Sequence, residues 1–102
     1  MKVALSARAE ADLRSIARWI ASDNAEAARE FAHALRGKCA SLAHAPKRFP
    51  VARRVDGRDL RKRTHGRYLI LYIISDEGVE VIRIVHASRD WAALIDQGSC
   101  EE

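Results

Sequence analysis

The heptapeptide YLILYII, residues 68–74, decides the fold of this chain. Every residue in it is apolar or aromatic, and several are β-branched. A short run of this kind is typical of a strand that is buried on both faces, within a sheet. The stretches 59–65 and 79–86 alternate between apolar and polar residues, and turn signals at 66–67 and 75–78 separate them from the heptapeptide. The second half of the chain therefore predicts an antiparallel meander of three strands.

The first half of the chain has the apolar period of helices. Apolar residues recur with the spacing i, i+3, i+4, i+7 over about 8–22, which predicts an amphipathic helix. A second apolar stripe predicts a helix over 24–44, with Asp23 at its N-terminal cap. This helix is expected to end before Pro46, because proline disfavours helical geometry in the residue that precedes it. The two helices should form a hairpin.

Two short elements complete the predicted fold. Residues 2–5 predict a strand before the first helix, and residues 90–98 have the spacing of one short helix at the C-terminal end. The predicted class is α+β, with the order β-α-α-β-β-β, an antiparallel sheet packed on a helical hairpin, and a short C-terminal helix. We expect residues 1–98 to form a single domain and 99–102 to be a polar tail.

Length and composition exclude several classes of protein. A chain of 102 residues has the size of one domain. It has no stretch of 18 apolar residues and no signal-peptide pattern, so we expect a cytoplasmic protein without a membrane partner. Cys39 and Cys100 lack metal-binding spacing and are expected to be free thiols. The histidines also lack ligand spacing, so the sequence predicts no metal and no cofactor.

Positive charge is concentrated in residues 46–67, which we call the basic segment. It holds seven Arg and two Lys against two Asp, a net +7, so the remaining residues carry −3 of the chain's total of +4. Such a segment predicts an acidic partner, either nucleic acid or protein. Only Phe49 and Tyr68 lie close enough to offer rings for base stacking, which favours protein.

One face of the predicted sheet has no obvious cover. The central strand favours burial on both faces, but the two long helices can cover only one. The other face is then an apolar surface fringed with arginines, and a surface of that kind marks a site for a partner or for self-association. The alternative is a twisted sheet that is covered by the chain's own loops.

At this point the sequence resembles the RelE/ParE superfamily of toxins from bacterial type II toxin–antitoxin modules. The resemblance covers about residues 3–92 and is closer to the ParE branch. ParE-like features are Leu60-Arg61, the strand from Tyr68 to Tyr72, and the His-x-x-Arg-Asp ending at 86–90. The stretches that carry the resemblance are AEADLRSIARWIA, NAEAAREFAHAL, Pro46, LRKRTHGRYLILYII and VEVIRIVHASRD.

The resemblance implies a growth-inhibiting toxin that is neutralised by a cognate ParD-like antitoxin with an acidic amphipathic C-terminal region, in a hetero-oligomer. ParE-type members inhibit DNA gyrase, whereas RelE-type members cleave messenger RNA on the ribosome. The nucleases use Arg and Lys on the sheet face and often a tyrosine near the C-terminus. No tyrosine follows Tyr72 here, which favours a gyrase inhibitor without catalysis over a ribonuclease. A third reading, outside the family, is a simple RNA- or DNA-binding module.

The candidate site residues fall into two groups, and none is predicted to be catalytic. Arg83 is expected to carry an unpaired charge that meets an antitoxin carboxylate, because strand 68–74 has no carboxylate opposite it; Asp90 or Glu80 is the rival partner. The residues predicted to stabilise the turn and the last helix are His86, Asp90 and Trp91. The residues predicted to bind a partner are Arg53, Arg54, Arg61, Arg63, Arg67, Tyr68, Ile70, Tyr72, Arg83 and Arg89.

Overall fold

The computed structural model of the protein describes residues 1–93, and they form the predicted α+β arrangement. Residues 91–93, at the start of the predicted C-terminal helix, are helical. The rest of that helix, the predicted tail at 99–102 and Cys100 lie outside the described residues. No helix within residues 1–93 is long and apolar enough to cross a membrane. The elements in chain order are β1 (Lys2–Leu5), α1 (Ala7–Ala21), α2 (Ala25–Ser41), a 3-10 turn (Pro46–Arg48), β2 (Val51–Val55), β3 (Arg58–His65), β4 (Tyr68–Ser75) and β5 (Gly78–His86).

The strands form one five-stranded sheet in the order β1-β5-β4-β3-β2. Strand β1 runs parallel to β5, and the other neighbours are antiparallel. The heptapeptide lies in β4, at the centre of the sheet, as its composition predicted. The meander of β3, β4 and β5 is confirmed, and the hairpin of α1 and α2 precedes it.

Strand β2 was not predicted, although a local signal for it was present. Asp56 and Gly57 join β2 to β3 with φ values of 52° and 78°. Positive φ at both central residues is the geometry of a two-residue hairpin turn that Asp-Gly favours. The stretch Val55-Asp56-Gly57-Arg58 is therefore typical of a hairpin. The high charge of the surrounding residues drew attention away from this turn signal.

Each helix begins at a side-chain cap. Ser6 Oγ accepts a hydrogen bond from the Ala9 N–H at the start of α1. At the start of α2 the cap is Asn24, whose Oδ1 accepts from the Ala27 N–H. The prediction of Asp23 as this cap was wrong by one residue; both side chains offer the oxygen that a cap requires.

The sheet is buried on both of its faces. One cluster lies between the helices and the sheet, and it includes Ile70 and Tyr72. The second cluster, on the opposite face, contains Leu60, Leu69, Leu71, Ile73 and Val85, with Val55, Ile82 and Trp91 packed against it. The predicted exposed apolar face is therefore wrong, because the unpredicted β2 hairpin and Trp91 contribute to its cover. Within residues 1–93 the exposed large apolar side chains are Met1, Trp19 and Val51.

Candidate functional site

The basic segment forms the two strands at one edge of the sheet, β2 and β3, and the connection that leads into them. It contains the 3-10 turn, β2 and β3, and it follows the C-terminal end of α2. Because side chains alternate along a strand, Arg61 and Arg63 of β3 are directed to one face of the sheet and Arg58 to the other. The structure therefore divides the cationic side chains into an inward set that binds the chain's own backbone and an outward set on the surface.

Arg61 and Arg63 belong to the inward set. Arg61 Nη1 donates to the Phe49 carbonyl at 2.6 Å and to the Lys47 carbonyl at 3.1 Å. Arg63 Nη1 donates to the Lys38 carbonyl at 2.9 Å and also to Ser41 Oγ. The Arg63 guanidinium also lies 4.7 Å from the centre of the Phe49 ring. These two arginines hold the end of α2 and the α2–β2 connection against β3, a role that no local pattern in the sequence predicts.

Tyr72 supports the same connection from the neighbouring strand. Its side chain is fully buried, and its hydroxyl donates to the Pro46 carbonyl. Burial raises the pKa of Tyr72. Ile70 is also fully buried, in the cluster under the helices. The prediction that Ile70 and Tyr72 form an exposed partner surface is therefore wrong, because they lie on the face of β4 that the helices cover.

Removing the Arg63 side chain should destabilise the fold more than removing a surface arginine. We expect Arg63→Ala to lower the free energy of unfolding by about 2 kcal/mol, because charge-assisted hydrogen bonds and a ring contact are lost. Arg54→Ala is the matched control and should cost less than about 1 kcal/mol, because its ion pair is exposed. Urea unfolding of both variants measures the difference, and equal losses would contradict the inward role of Arg63.

Arg83 has an intramolecular partner that lies 71 residues away in sequence. Its Nε donates to Asp12 Oδ2 at 2.8 Å and its Nη2 donates to Asp12 Oδ1 at 3.1 Å. Both side chains are largely buried, with exposed fractions of 15% and 17%. The expectation of an unpaired charge is therefore wrong, and so is the rival pairing with Asp90 or Glu80.

The pairing with Asp12 exists because β1 is shorter than β5. Strand β1 ends at Leu5, and from there the outer edge of β5 is covered by polar groups at the start of α1. The Ser6 N–H donates to the Val81 carbonyl at 2.8 Å, and Ser6 Oγ donates to the Ile82 carbonyl at 3.0 Å. The Ile84 N–H donates to Asp12 Oδ2 at 2.9 Å. The start of α1 thus supplies hydrogen-bond partners for backbone groups of β5 that would otherwise be unpaired at this edge.

Tyr68 lies in a row of aromatic rings at the opposite end of β4 from the hairpin turn at Gly78. Its ring makes edge contacts with Phe31 and His86 at centroid distances of 5.3 Å and 5.2 Å, and Phe31 also contacts His65 at 5.2 Å. His86 Nδ1 accepts from the Ser88 N–H at 3.1 Å, within the turn that follows β5. The sequence had suggested Tyr68 as a partner contact, and the structure leaves it half-buried.

His65 should make stability depend on pH. Burial and the nearby charges of Lys38 and Arg63 lower its pKa, and its buried Nδ1, which is a donor in the charged ring, has no hydrogen-bond partner among residues 1–93. As the pH falls below about 6.5, the unfolded chain therefore binds this proton before the folded chain does, so the free energy of unfolding declines. Once the pH is below the pKa of His65 in the folded chain, the free energy of unfolding stops declining on account of this residue.

The measurement is urea unfolding between about pH 7.5 and about pH 5, limits that lie roughly 1 unit above and roughly 1.5 units below the ordinary histidine pKa. His65→Gln should flatten the decline, whereas His33→Gln, at an exposed position on α2, should leave it unchanged. A decline of the same size in the His65 variant would assign the pH dependence to other groups.

The outward set lies around β2 and at the far end of the sheet. Arg54 Nη1 pairs with Asp59 Oδ1 at 3.2 Å, and Nη2 donates to the Gly57 carbonyl at 2.7 Å. Its side chain is 67% exposed. The residues of this set, in order, are Arg53 (half-buried), Arg54, Arg58, Arg67 and Arg89.

The remaining turn residues lie beyond β5. The Ala93 N–H donates to Asp90 Oδ1 at 3.4 Å, and Trp91 packs on the second cluster. Arg89 is exposed beside them, and its carbonyl accepts from the Trp91 N–H. Arg67 and Arg89, which were predicted to bind the same partner as the arginines around β2, lie at the far end of the sheet. No contact within residues 1–93 brings them into one site with the β2 edge.

Comparison with known proteins gives this arrangement a family. Residues 3–91 match the family described as ParE toxin of type II toxin-antitoxin system, parDE. A solved structure described as "Chromosomal ParDE TA system from P. aeruginosa" is similar in fold, with a TM-score of 0.70 and 16% sequence identity over 86% of this chain and 97% of that chain. A search of curated proteins finds no match. Because the family match spans nearly all of the described residues, the chain belongs to the ParE toxin family of type II toxin–antitoxin systems.

Proposed function

We propose that this chain inhibits bacterial growth by binding DNA gyrase in the cytoplasm, without catalysing a reaction, and that a cognate ParD-like antitoxin neutralises it. The observation that carries the proposal is the family match over residues 3–91, which includes all of β2 to β5, nearly all of β1, both long helices and the basic segment. The similar structure from P. aeruginosa is described as a ParDE system, which supports an antitoxin partner for this chain as well.

The outward arginines support an acidic antitoxin region. The contacts within the chain engage Arg61, Arg63 and Arg83, which are half-buried, yet the basic segment retains exposed cations around β2, at Arg54 and Arg58. An antitoxin with an acidic amphipathic C-terminal region would be steered to that end of the sheet. The toxin and antitoxin would then form a hetero-oligomer.

A role without catalysis is supported by where the arginines direct their donors. Cleavage of RNA requires cationic groups that stabilise the negative charge developing on the phosphate. Arg61 and Arg63 donate instead to backbone carbonyls, and Arg83 donates to Asp12. Arg61, Arg63 and Arg83 are therefore engaged by the chain itself, whereas Arg89, the fourth arginine in a region that the nucleases use, is exposed.

One observation favours the alternative, a RelE-like ribosome-dependent endoribonuclease. His65, Tyr68 and His86 lie side by side across β3, β4 and β5, because Tyr68 pairs with His65 on one side and with His86 on the other. Histidine can act as a general acid or base near neutral pH. The Ser88 N–H bond to His86 Nδ1 gives this histidine a structural explanation as well.

The test is controlled expression of the chain, with and without its antitoxin, in parallel with a His86→Asn variant. Asparagine keeps an acceptor for the Ser88 N–H but cannot transfer protons. We expect both chains to arrest growth, to induce the DNA damage response before protein synthesis falls, and to be silenced by the antitoxin. Purified chain should also inhibit supercoiling by purified gyrase.

The opposite pattern would replace the proposal with the enzyme. Early arrest of protein synthesis, transcripts cut at the ribosome and loss of toxicity in His86→Asn would identify a ribonuclease. Toxicity that the antitoxin does not relieve would contradict the proposed pairing with a ParD-like partner.

A further inference from the structure

Strand β2 ends the sheet on its basic side, and its outer edge pairs with no other strand of residues 1–93. We propose that this edge is a docking site for an extended acidic segment of the antitoxin, which pairs with β2 as a sixth strand. The proposal rests on the proposed function, because it takes the antitoxin as the partner. It adds the place of contact and the way in which the segment binds.

The ladder between β2 and β3 identifies the backbone groups that are available. The Asp56-Gly57 turn makes Val55 and Arg58 the closing pair, which exchanges both hydrogen bonds in a two-residue hairpin. The next pair, Arg54 and Asp59, is then a pair without mutual hydrogen bonds. The Arg54 N–H and C=O are therefore directed away from β3, toward the open edge.

A second contact fixes the same alternation further along the strand. The Lys62 N–H donates to the Pro50 carbonyl at 3.1 Å, so even-numbered residues of β3 direct their backbone groups toward β2. The backbone groups of Arg58 and Leu60 are therefore directed toward β2, whereas those of Asp59 are directed away from it. The free donor and acceptor of Arg54 are what an added strand requires, because strand addition gains its affinity from backbone hydrogen bonds.

Side chains on the same edge select an acidic segment. The Arg54 side chain is mostly exposed, and its ion pair with Asp59 is a surface pair of small net value, which a partner carboxylate can replace. Arg53 precedes it in the strand and Arg58 follows the turn. Val51, which is 43% exposed, adds an apolar contact at the start of the strand.

The charge of the edge argues against the two other occupants. A second copy of this chain would place arginines opposite arginines, and like charges that face each other across a pair of strands are destabilising. Nucleic acid would use the positive charge, but it has no extended peptide backbone to pair with the outward N–H and C=O of Arg54. An acidic peptide strand satisfies both the charge and the backbone groups.

The first measurement is hydrogen exchange of backbone amides in the full chain, alone and in complex with the antitoxin. The Arg54 amide should exchange quickly in the free chain and at least about tenfold more slowly in the complex, because it then donates to the added strand. The Leu60 amide, which is directed toward β2 within the hairpin, serves as a control that the hairpin itself has not changed.

The second measurement is antitoxin affinity for Arg54→Glu and for Arg29→Glu. The second variant makes the same change of charge at an exposed position of α2, away from the sheet edge. We expect Arg54→Glu to weaken binding by about tenfold or more and Arg29→Glu to change it by less than about threefold. Added salt should reduce the difference between them.

The outcomes separate this proposal from the proposed function. A complex that forms without protection of the Arg54 amide, and with equal affinity for both variants, would overturn docking at β2 and leave the toxin–antitoxin pairing intact. Absence of any complex would overturn the pairing itself. Binding of duplex DNA that Arg54→Glu abolishes, with antitoxin affinity unchanged, would assign the edge to nucleic acid instead.

Discussion

Asp12→Ala should lower the free energy of unfolding by about 3–5 kcal/mol, which is the range for removing one partner of a buried ion pair. The substitution leaves the Arg83 guanidinium unpaired at a largely buried position, and it removes the acceptor of the Ile84 N–H. An unsatisfied backbone donor adds its own cost of about 1–3 kcal/mol when water cannot reach it. Because α1 also closes the open edge of β5 through this carboxylate, we expect weaker docking of the helix on the sheet.

The exposed pair between Glu10 and Arg36 supplies the control. It has the same chemistry, with distances of 2.8 Å and 3.3 Å, but both side chains are more exposed. Glu10→Ala should therefore cost less than about 1 kcal/mol. Urea unfolding of both variants makes the comparison, and similar losses would mean that the Asp12 pair contributes no more than a surface pair.

Arg83→Ala distinguishes the intramolecular pair from a contact with the antitoxin. If the guanidinium acts within the chain, this variant loses stability while the folded protein retains its affinity for the antitoxin. The double variant with Asp12→Ala completes a double-mutant cycle, and its loss should be smaller than the sum of the two single losses. A large fall in affinity for the antitoxin, together with an unchanged free energy of unfolding, would mean that Arg83 binds the antitoxin instead.

Gly78→Ala is expected to lower the free energy of unfolding by about 4 kcal/mol, from the combined cost of a strained backbone and an overpacked contact. Gly78 has a φ of 138°, which side chains rarely permit. A Cβ atom there would lie 2.3 Å from the Lys2 carbonyl oxygen, which belongs to the backbone of β1. Since β1 pairs with β5 through Lys2 and Gly78, the clash should displace the start of β1.

Gly37 is the matched control for Gly78. It lies in α2, where an added Cβ would meet nothing within 4 Å. Gly37→Ala should therefore stabilise the protein by about 0.5–1 kcal/mol, because alanine loses less backbone entropy in a helix. Urea midpoints that move in opposite directions for the two variants would agree with this account, and a small loss for Gly78→Ala would show that β1 can move aside cheaply.

Local patterns in the sequence determined the class of fold. The continuous apolar run at 68–74 predicted the central strand, and the helical period predicted α1 and α2, because burial on one face or two leaves a period that is visible along the chain. The same stretches carried the resemblance to the ParE branch, which the family match supports. The β2 hairpin could also have been predicted, since Asp-Gly at 56–57 is a local signal for a two-residue turn.

Tertiary structure alone decided what the charged residues do. The alternation of a strand shows that Ile70 and Tyr72 share a face, but it does not show that the helices cover that face. The positive charge of the basic segment was evident, yet the division into inward Arg61 and outward Arg54 depends on where the α2–β2 connection passes. The partner of Arg83 lies 71 residues away, on a helix whose position follows from the length of β1. Such contacts leave no local period in the sequence, because they are set by how separate elements pack together.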